Sequence, residues 1–170
     1  NGAFDVLAWP NASGADTAGG VTTAEDECVI RYLRTAGTGL RTIAVDSNND
    51  VWLGGKVNRK HEKRDGEGTN DLLEGQVGIT ELGGEHGGYG GLVAHARDSG
   101  GTWYEFLWSA GENGDLVRLN TDNLAVTHSN TLGNYGLGFD PLTSRIWQSS
   151  SCWYETCSLY ELNPTATPLA

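Results

Sequence analysis

The chain has 170 residues, 25 glycines and a formal net charge of −11, and these values exclude several classes of protein. Nucleic-acid-binding proteins neutralise phosphates with clustered basic residues, so we expect no nucleic acid partner. No apolar run reaches the roughly 20 residues of a membrane-spanning helix, so we expect no membrane span. The length suits one domain with its own hydrophobic core.

The N-terminal segment reads as the second half of a hairpin. Asn1-Gly2 is a strong signal for a tight hairpin turn, and an apolar run ending at Trp9 follows it. Residues 1–37 are therefore predicted to be a partial first unit of a repeated fold. Asn11 opens an Asn-Ala-Ser sequon and is a glycosylation candidate if the protein passes through a glycosylating secretory pathway.

The stretch "RTIAVDSNNDVWLGG" at 41–55 predicts strand, turn and strand, because β-branched and aromatic residues flank a block of turn formers. Similar hairpins recur at 89–110 and 134–151. Each copy has a glycine near its start, an Asp at the turn and a Trp after it. The Asp and Trp pairs are Asp46 and Trp52, Asp98 and Trp103, and Asp140 and Trp147. The spacing of about 50 and then about 45 residues is typical of propeller blades.

A second recurring element alternates apolar and polar residues and ends in turn formers, which is typical of a strand with one solvated face. Its copies are "CVIRYLRT" (28–35), "GQVGITELGG" (75–84), "DLVRLNTD" (115–122) and "CSLYELNP" (157–164). A short inner strand such as "AVTHSN" (125–130) would lead to the next unit. Each unit would then be a four-stranded antiparallel blade with the tryptophan on its third strand.

The sequence therefore predicts an all-β β-propeller in a single segment covering 1–170. After the partial blade at 1–37, its blades would be 38–84, 85–122 and 123–164, with a tail at 165–170. These make about three and a half blades, fewer than the four to eight of closed propellers. We expect further polypeptide, from the same chain or a second subunit, to complete the ring. The basic stretch 56–67 is expected to be a solvated loop, or alternatively an anion or polymer contact.

The motifs "IAVDSNNDVW" and "GQVGITEL" resemble the repeats of NHL-like and streptogramin-lyase-like β-propellers, over about residues 28–163. The resemblance implies the fold, while members of the family include lyases, sugar or protein binders and sensor domains. Lyase chemistry would imply a histidine base beside a divalent cation. His86, with Glu85 beside it, is the candidate, although a plain loop histidine is the alternative. His95 is expected to be packed or hydrogen-bonded, and His61 and His128 to be exposed.

A calcium site is a second possibility in the first hairpin. Asp46, Asn48 and Asp50 have the alternate spacing of calcium loops. Val51 stands where such a loop needs glycine, and a simple hairpin turn explains the same residues. We therefore expect no cofactor, with calcium or another divalent cation as the alternative.

Aromatic residues fall into two groups. Trp103, Tyr104, Phe106 and Trp108 would place aromatic side chains on both faces of one strand, which predicts a core between stacked sheets. Trp153 and Tyr154 lie in a connection instead. Exposed aromatics there would suit stacking on a sugar or contact with a protein.

The cysteines bear on the compartment. Cys152 and Cys157 bracket four residues at a turn, a separation that allows a disulfide, which needs an oxidising environment. A metal-binding pair and two reduced thiols are the alternatives. Cys28 would be either free or paired with another segment. The pattern favours a secreted, extracellular or periplasmic protein.

The sequence thus predicts an extracytoplasmic β-propeller that acts as a non-catalytic binding or structural scaffold with a protein or glycan ligand. The alternative from another class is a metal-assisted, lyase-like enzyme with His86 as its base.

Overall fold

A computed structural model describes residues 35–66, 73–78, 86–112, 116–129, 135–150 and 156–166. All of them belong to one compact unit, Thr35–Ala170. Several sequence predictions fall outside these ranges and stay predictions. They concern the partial blade at 1–37 with Trp9, Asn11 and Cys28, and also Glu85, Cys152, Trp153 and Tyr154.

The described residues form three antiparallel sheets and contain no helix, which confirms the all-β prediction. The first sheet contains β1 (Leu40–Val45), β2 (Val51–Gly55), β3 (Lys60–Arg64) and β4 (Leu73–Gly78). The second contains β5 (Gly90–Arg97), β6 (Trp103–Ala110), β7 (Leu116–Asn120) and β8 (Val126–Ser129), and the third contains β9 (Leu137–Asp140), β10 (Arg145–Ser149) and β11 (Leu159–Leu162). In every sheet, strands that are consecutive in the chain are neighbours.

The turn between β1 and β2 is built around the carboxylate of Asp46. Its Oδ1 accepts the backbone N–H groups of Asn48 and Asp50, both at 3.0 Å. Its Oδ2 accepts the indole N–H of Trp52 at 2.8 Å. One aspartate therefore closes the turn and also orients the first large side chain of the next strand.

The same arrangement recurs in the second hairpin, and it shows which residues are equivalent. The carboxylate of Asp98 accepts the Thr102 N–H at 2.8 Å and the Tyr104 hydroxyl at 3.2 Å. Tyr104 thus corresponds to Trp52, since each lies six residues after its aspartate. The predicted equivalence of Trp103 with Trp52 is wrong by one residue.

The third hairpin has a turn that is one residue longer. Asp140 pairs with Arg145, whereas the N–H of Asp46 bonds to the carbonyl of Asp50. The longer turn places Trp147, seven residues after its aspartate, at the position of Trp52. Both tryptophans lie on the second strand of their sheet, and not on the third as predicted.

Two further strand assignments differ from the sequence prediction. Lys60–Arg64 forms β3, so the basic stretch 56–67 is not a single loop. Val126–Ser129 pairs with β7, so "AVTHSN" contains the fourth strand of the second sheet and does not begin a new unit. The predicted boundary after residue 122 therefore cuts through this sheet.

The core consists of two layers, one on each face of the second sheet. On one face, Phe106 and Trp108 of β6 pack with Ile146 of the third sheet. On the other face, Leu107 packs with Trp52 of the first sheet. Burying a leucine completely, as at Leu107, stabilises a fold by about 2 kcal/mol. The second sheet therefore lies between the other two, and Phe106 and Trp108 take the core role predicted for them.

Candidate functional site

The first strands of the three sheets come together at their starts. The guanidinium carbon of Arg41, in β1, lies 4.6 Å from the ring centroid of Tyr89, which directly precedes β5. The Tyr89 ring centroid is 4.9 Å from that of Tyr135, and the two hydroxyl oxygens are 2.9 Å apart. Three residues, each at or just before the first strand of a different sheet, therefore contact one another here. We call Arg41, Lys56, Tyr89, Glu112 and Tyr135 the tyrosine cluster.

Glycines allow the backbone to reach this arrangement. Gly88, with φ of +83°, lies in a region of backbone space that side chains disfavour, and a Cβ there would come within 2.6 Å of the Gly55 carbonyl oxygen. The next residue, Tyr89, donates its N–H to the carbonyl of Ala110 at 2.8 Å. The Tyr135 N–H bonds to the carbonyl of Ser149 in the same way, at 3.0 Å. The backbone that leads into Tyr89 therefore requires a glycine at position 88.

The tyrosine cluster combines aromatic rings with cations. The ammonium nitrogen of Lys56 lies 5.0 Å from the Tyr89 ring centroid and pairs with Glu112. Tyr135 is 37% exposed. Its hydrogen bond to Tyr89 raises the pKa of Tyr135 above the usual value for a phenol, so it stays protonated at neutral pH. Exposed tyrosine beside arginine is typical of binding hot spots.

A buried polar network joins the first and second sheets close to the tyrosine cluster. The Ser109 hydroxyl lies 2.7 Å from Nε2 of His61 and 3.3 Å from the Thr42 hydroxyl, and it accepts the Gly88 N–H at 2.7 Å. Burial lowers the pKa of His61 from 6.5 to about 4. A serine beside a histidine is typical of nucleophilic catalysis, but both residues are almost completely buried. The pair therefore links sheets and does not face a substrate.

The buried position of His61 contradicts the prediction that it is exposed. A charged stretch, "NRKHEKR", gives no sign of burial. The signal lies on the neighbouring strand, where a Cβ on Gly54 would lie 2.8 Å from the His61 ring. The missing side chain at Gly54 makes room for the imidazole.

The predicted catalytic residue lies close to this network. His86 is 2% exposed, which leaves almost none of its ring open to a dissolved substrate. Its proposed neighbour Glu85 lies outside the described residues, so the pair stays a prediction. His95 is half exposed, and its Nε2 lies 3.1 Å from Glu105, which fits the hydrogen-bonded role predicted for it.

The predicted calcium residues take part in the first turn and in ion pairs. Besides its turn contacts, Asp46 lies 3.5 Å from the ammonium of Lys63, and Asp50 lies 2.8 Å from it. Asn48 donates its N–H to Asp46. Over the ranges that the structure describes, no group of three or more His, Cys, Asp or Glu side chains is placed to hold a metal ion.

The predicted binding residues Trp153 and Tyr154 lie outside the described residues, in the part of the chain between β10 and β11. Its described ends are joined by a hydrogen bond of 2.9 Å from the Ser150 N–H to the Ser158 carbonyl. The preceding residue, Ser149, accepts the N–H of Tyr135. This connection thus begins and ends beside the tyrosine cluster. Cys157 is exposed, and its pairing with Cys152 stays a prediction.

No protein-family model, no curated protein and no solved structure matches this chain. The resemblance to NHL-like and streptogramin-lyase-like repeats therefore stays a prediction. Within the described ranges, no helix has the length and apolar character needed to cross a membrane.

Proposed function

We propose that this chain is part of an extracytoplasmic β-propeller that acts as a non-catalytic binding scaffold. Its ligand is a protein or a glycan, and the tyrosine cluster is the contact surface. The remaining part of the ring comes from further polypeptide of the same chain or of a second subunit.

The propeller is supported by the order and contacts of the sheets. Each sheet is a meander, as a propeller blade is. β1 contacts β5, and β5 contacts β9, so the first strands of successive sheets are neighbours. In a propeller, the first strand of every blade lines the central axis. The meeting of Arg41, Tyr89 and Tyr135 is the single observation that carries this proposal.

The binding role is supported by the chemistry of the tyrosine cluster. Tyrosine provides a large contact area with few rotatable bonds, so little conformational entropy is lost when it binds a partner. Arg41 and Lys56 add positive charge next to the rings. The histidines nearest to the cluster in the described residues, His61 and His86, are buried, which favours binding over catalysis. The Cys152–Cys157 spacing supports the location outside the cytoplasm.

Arrays of glycans and of extracellular proteins, probed with the purified chain, test the binding proposal. Tyr135→Ala should weaken binding of true ligands by about fivefold or more, because truncating an important interface residue typically costs over about 1 kcal/mol. Leu142→Ala is the matched control, since Leu142 is 94% exposed in the turn at the opposite end of the third sheet. A ligand bound equally by both variants would contradict the proposed surface. Cleavage of a bound ligand after addition of Mg²⁺ would favour the lyase alternative.

A further inference from the structure

A groove lies between the second and third sheets, at the end opposite to the tyrosine cluster. Its volume is about 640 Å³, within the range of about 300–1,000 Å³ of small-ligand sites. Four larger side chains define it, Arg97, Trp103, Arg145 and Glu161. We call it the Trp103 groove. The rest of the lining consists of short polar side chains and two apolar ones: Thr143, Ser144, Asn163, Thr165, Leu162 and Pro164.

Trp103 is the aromatic platform of this groove. It is 58% exposed, although a sequence prediction placed it in the core. The one-residue shift of register explains this, because Tyr104 takes the inward position that the pattern assigns to Trp103. The indole also borders a neighbouring cavity of about 390 Å³ lined by His95 and Phe139. A flat, accessible ring with polar groups around it suits the apolar face of a sugar ring.

The two arginines of the groove differ in their ion pairing. Arg145 forms an ion pair with Glu161. Arg97 forms none of the ion pairs found among the described residues. Its Nε donates to the carbonyl of Gly101 at 2.8 Å, and its guanidinium carbon lies 5.7 Å from the Trp103 ring centroid. The guanidinium is therefore held over one face of the Trp103 indole, with its two Nη groups left to serve a ligand, so a sugar ring would stack on the opposite face.

We propose that the Trp103 groove binds a sugar unit that carries one carboxylate. Trp103 would stack on the sugar ring, and Arg97 would bind the carboxylate in the bidentate geometry that guanidinium groups favour. The polar side chains of the lining would bond to hydroxyl groups. This site is separate from the tyrosine cluster and does not rest on the function proposed for it.

The net charge of the chain limits the ligand to a low charge. At −11, the protein as a whole repels anions. Charges farther apart than about 8 Å are largely screened at physiological ionic strength, so the nearby Arg97 outweighs distant carboxylates for a single negative group. A polyanionic chain would extend beyond the reach of Arg97, and the net negative charge of the protein opposes its binding. A glucuronide is thus a better probe than a sulfated polysaccharide.

Methyl β-glucuronide and methyl β-glucoside form a matched pair, because they differ only at C6, as carboxylate or hydroxymethyl. Titration of the whole chain with each sugar, followed by NMR, gives two dissociation constants. We expect the glucuronide to bind about tenfold more tightly, since charge-assisted bonds are roughly twice as strong as neutral ones. Arg97→Gln should bring the two constants together, and Trp103→Ala should weaken both. Lys60→Gln, which removes one positive charge from an exposed position of β3 outside both proposed sites, is the control and should change neither.

Each contrary result overturns a defined part of the proposal. Equal binding of the two sugars would reject the carboxylate, and binding that survives Trp103→Ala would reject the platform. No binding of either sugar up to about 50 mM would reject the site. Circular dichroism of each variant shows whether a loss reflects unfolding. The array results for Tyr135→Ala are unaffected by any of these outcomes.

Discussion

His61 shows how one neutral imidazole can connect two sheets. Its Nε2 bonds to Ser109 in the second sheet, while its ring fills the space beside Gly54 in the first. Protonation would place a positive charge in a site from which solvent is excluded, which is costly. The folded protein therefore favours the neutral ring.

We predict an acid-induced loss of stability that depends on His61. The unfolded chain protonates this residue near pH 6.5, whereas the folded protein does so only near a pKa of about 4. The unfolded state thus binds more protons in this window, and the free energy of unfolding should fall by about 3 kcal/mol between pH 7 and pH 4 because of this residue. Urea titrations at each pH measure it.

The difference between wild type and His61→Gln isolates this effect from the other titrating groups. The variant should lose stability at pH 7 but show a smaller decrease toward pH 4. Leu142→Gln is the control, because Leu142 is 94% exposed and carries no titratable group, so this variant should keep the wild-type pH dependence. A decrease of the same size in wild type and His61→Gln would show that the imidazole does not stay neutral in the folded protein.

Individual side chains were the hardest to place from the sequence. Trp103 and Tyr104 are both aromatic and adjacent, so the pattern alone could not decide which one faces the core. The hydrogen bond from Tyr104 to Asp98 settles the register, and such a bond is not visible in residue types. His61 was missed because its space depends on Gly54, seven residues earlier on a paired strand.

The three hairpins share a backbone feature just before the second strand. Asn49, Gly101 and Ser144 have φ of 65°, 89° and 56°, and each directly precedes the residue that closes its turn. Positive φ is easy for glycine, tolerable for asparagine and strained for other residues. The same turn position is therefore occupied by three residue types that differ in how well they tolerate a positive φ.

We predict that substitutions at this position follow that grading. Gly101→Ala should lower the free energy of unfolding by about 1 kcal/mol, because a Cβ is strained at this φ. Ser144→Gly should raise it by about 0.5 kcal/mol, and Asn49→Gly should change it less. Thermal and urea unfolding of the three variants measure these values. A stabilising Gly101→Ala would disprove the turn geometry.

Elements were predicted well where local composition and tertiary environment agree. β1, β2, β5 and β6 combine β-branched or aromatic residues with a clear turn, so both hairpins were found. β3 was missed because "KHEKR" has low strand propensity, and only its pairing with β2 and β4 makes it a strand. The pairing of β8 with β7 was also not visible, since the short strand β8 could have paired either with β7 or with the strands of the next unit.

The third sheet has a face that points away from the second. Ile146 packs toward the second sheet, so its neighbour Trp147 points to the other side, where it is half buried. Leu159, on the same sheet, is 67% exposed. Trp52 and Tyr104 are equivalent to Trp147 in their own sheets, and each of them faces the following sheet. This face is therefore suited to a further sheet.

We predict that the isolated chain self-associates through this face. Light scattering over a range of concentrations should show species larger than a monomer, because covering Leu159 and Trp147 with another copy removes apolar surface from water. Trp147→Glu should reduce the association, while Leu142→Glu in the exposed turn should not. A monodisperse monomer with a cooperative unfolding transition would contradict this prediction and the proposal that further polypeptide completes the ring.

The stacking of sheets could be predicted only in outline. Repeated hairpins indicate repeated sheets, and aromatic residues on both faces of β6 indicate that this sheet is covered on both sides. Which residues meet across the layers, such as Leu107 with Trp52, depends on register, and the sequence left the register ambiguous.

Strand order has a consequence for how the chain folds. Because every strand pairs with its neighbour in sequence, each sheet is complete as soon as its last strand has been synthesised. Such local pairing keeps the chain segment that must close to form each sheet short, which lowers the entropic cost of forming the individual sheets. A sheet could thus form during translation while later sheets are still within the ribosome. The N-terminal sheets would then act as a template on which each new sheet packs its apolar face.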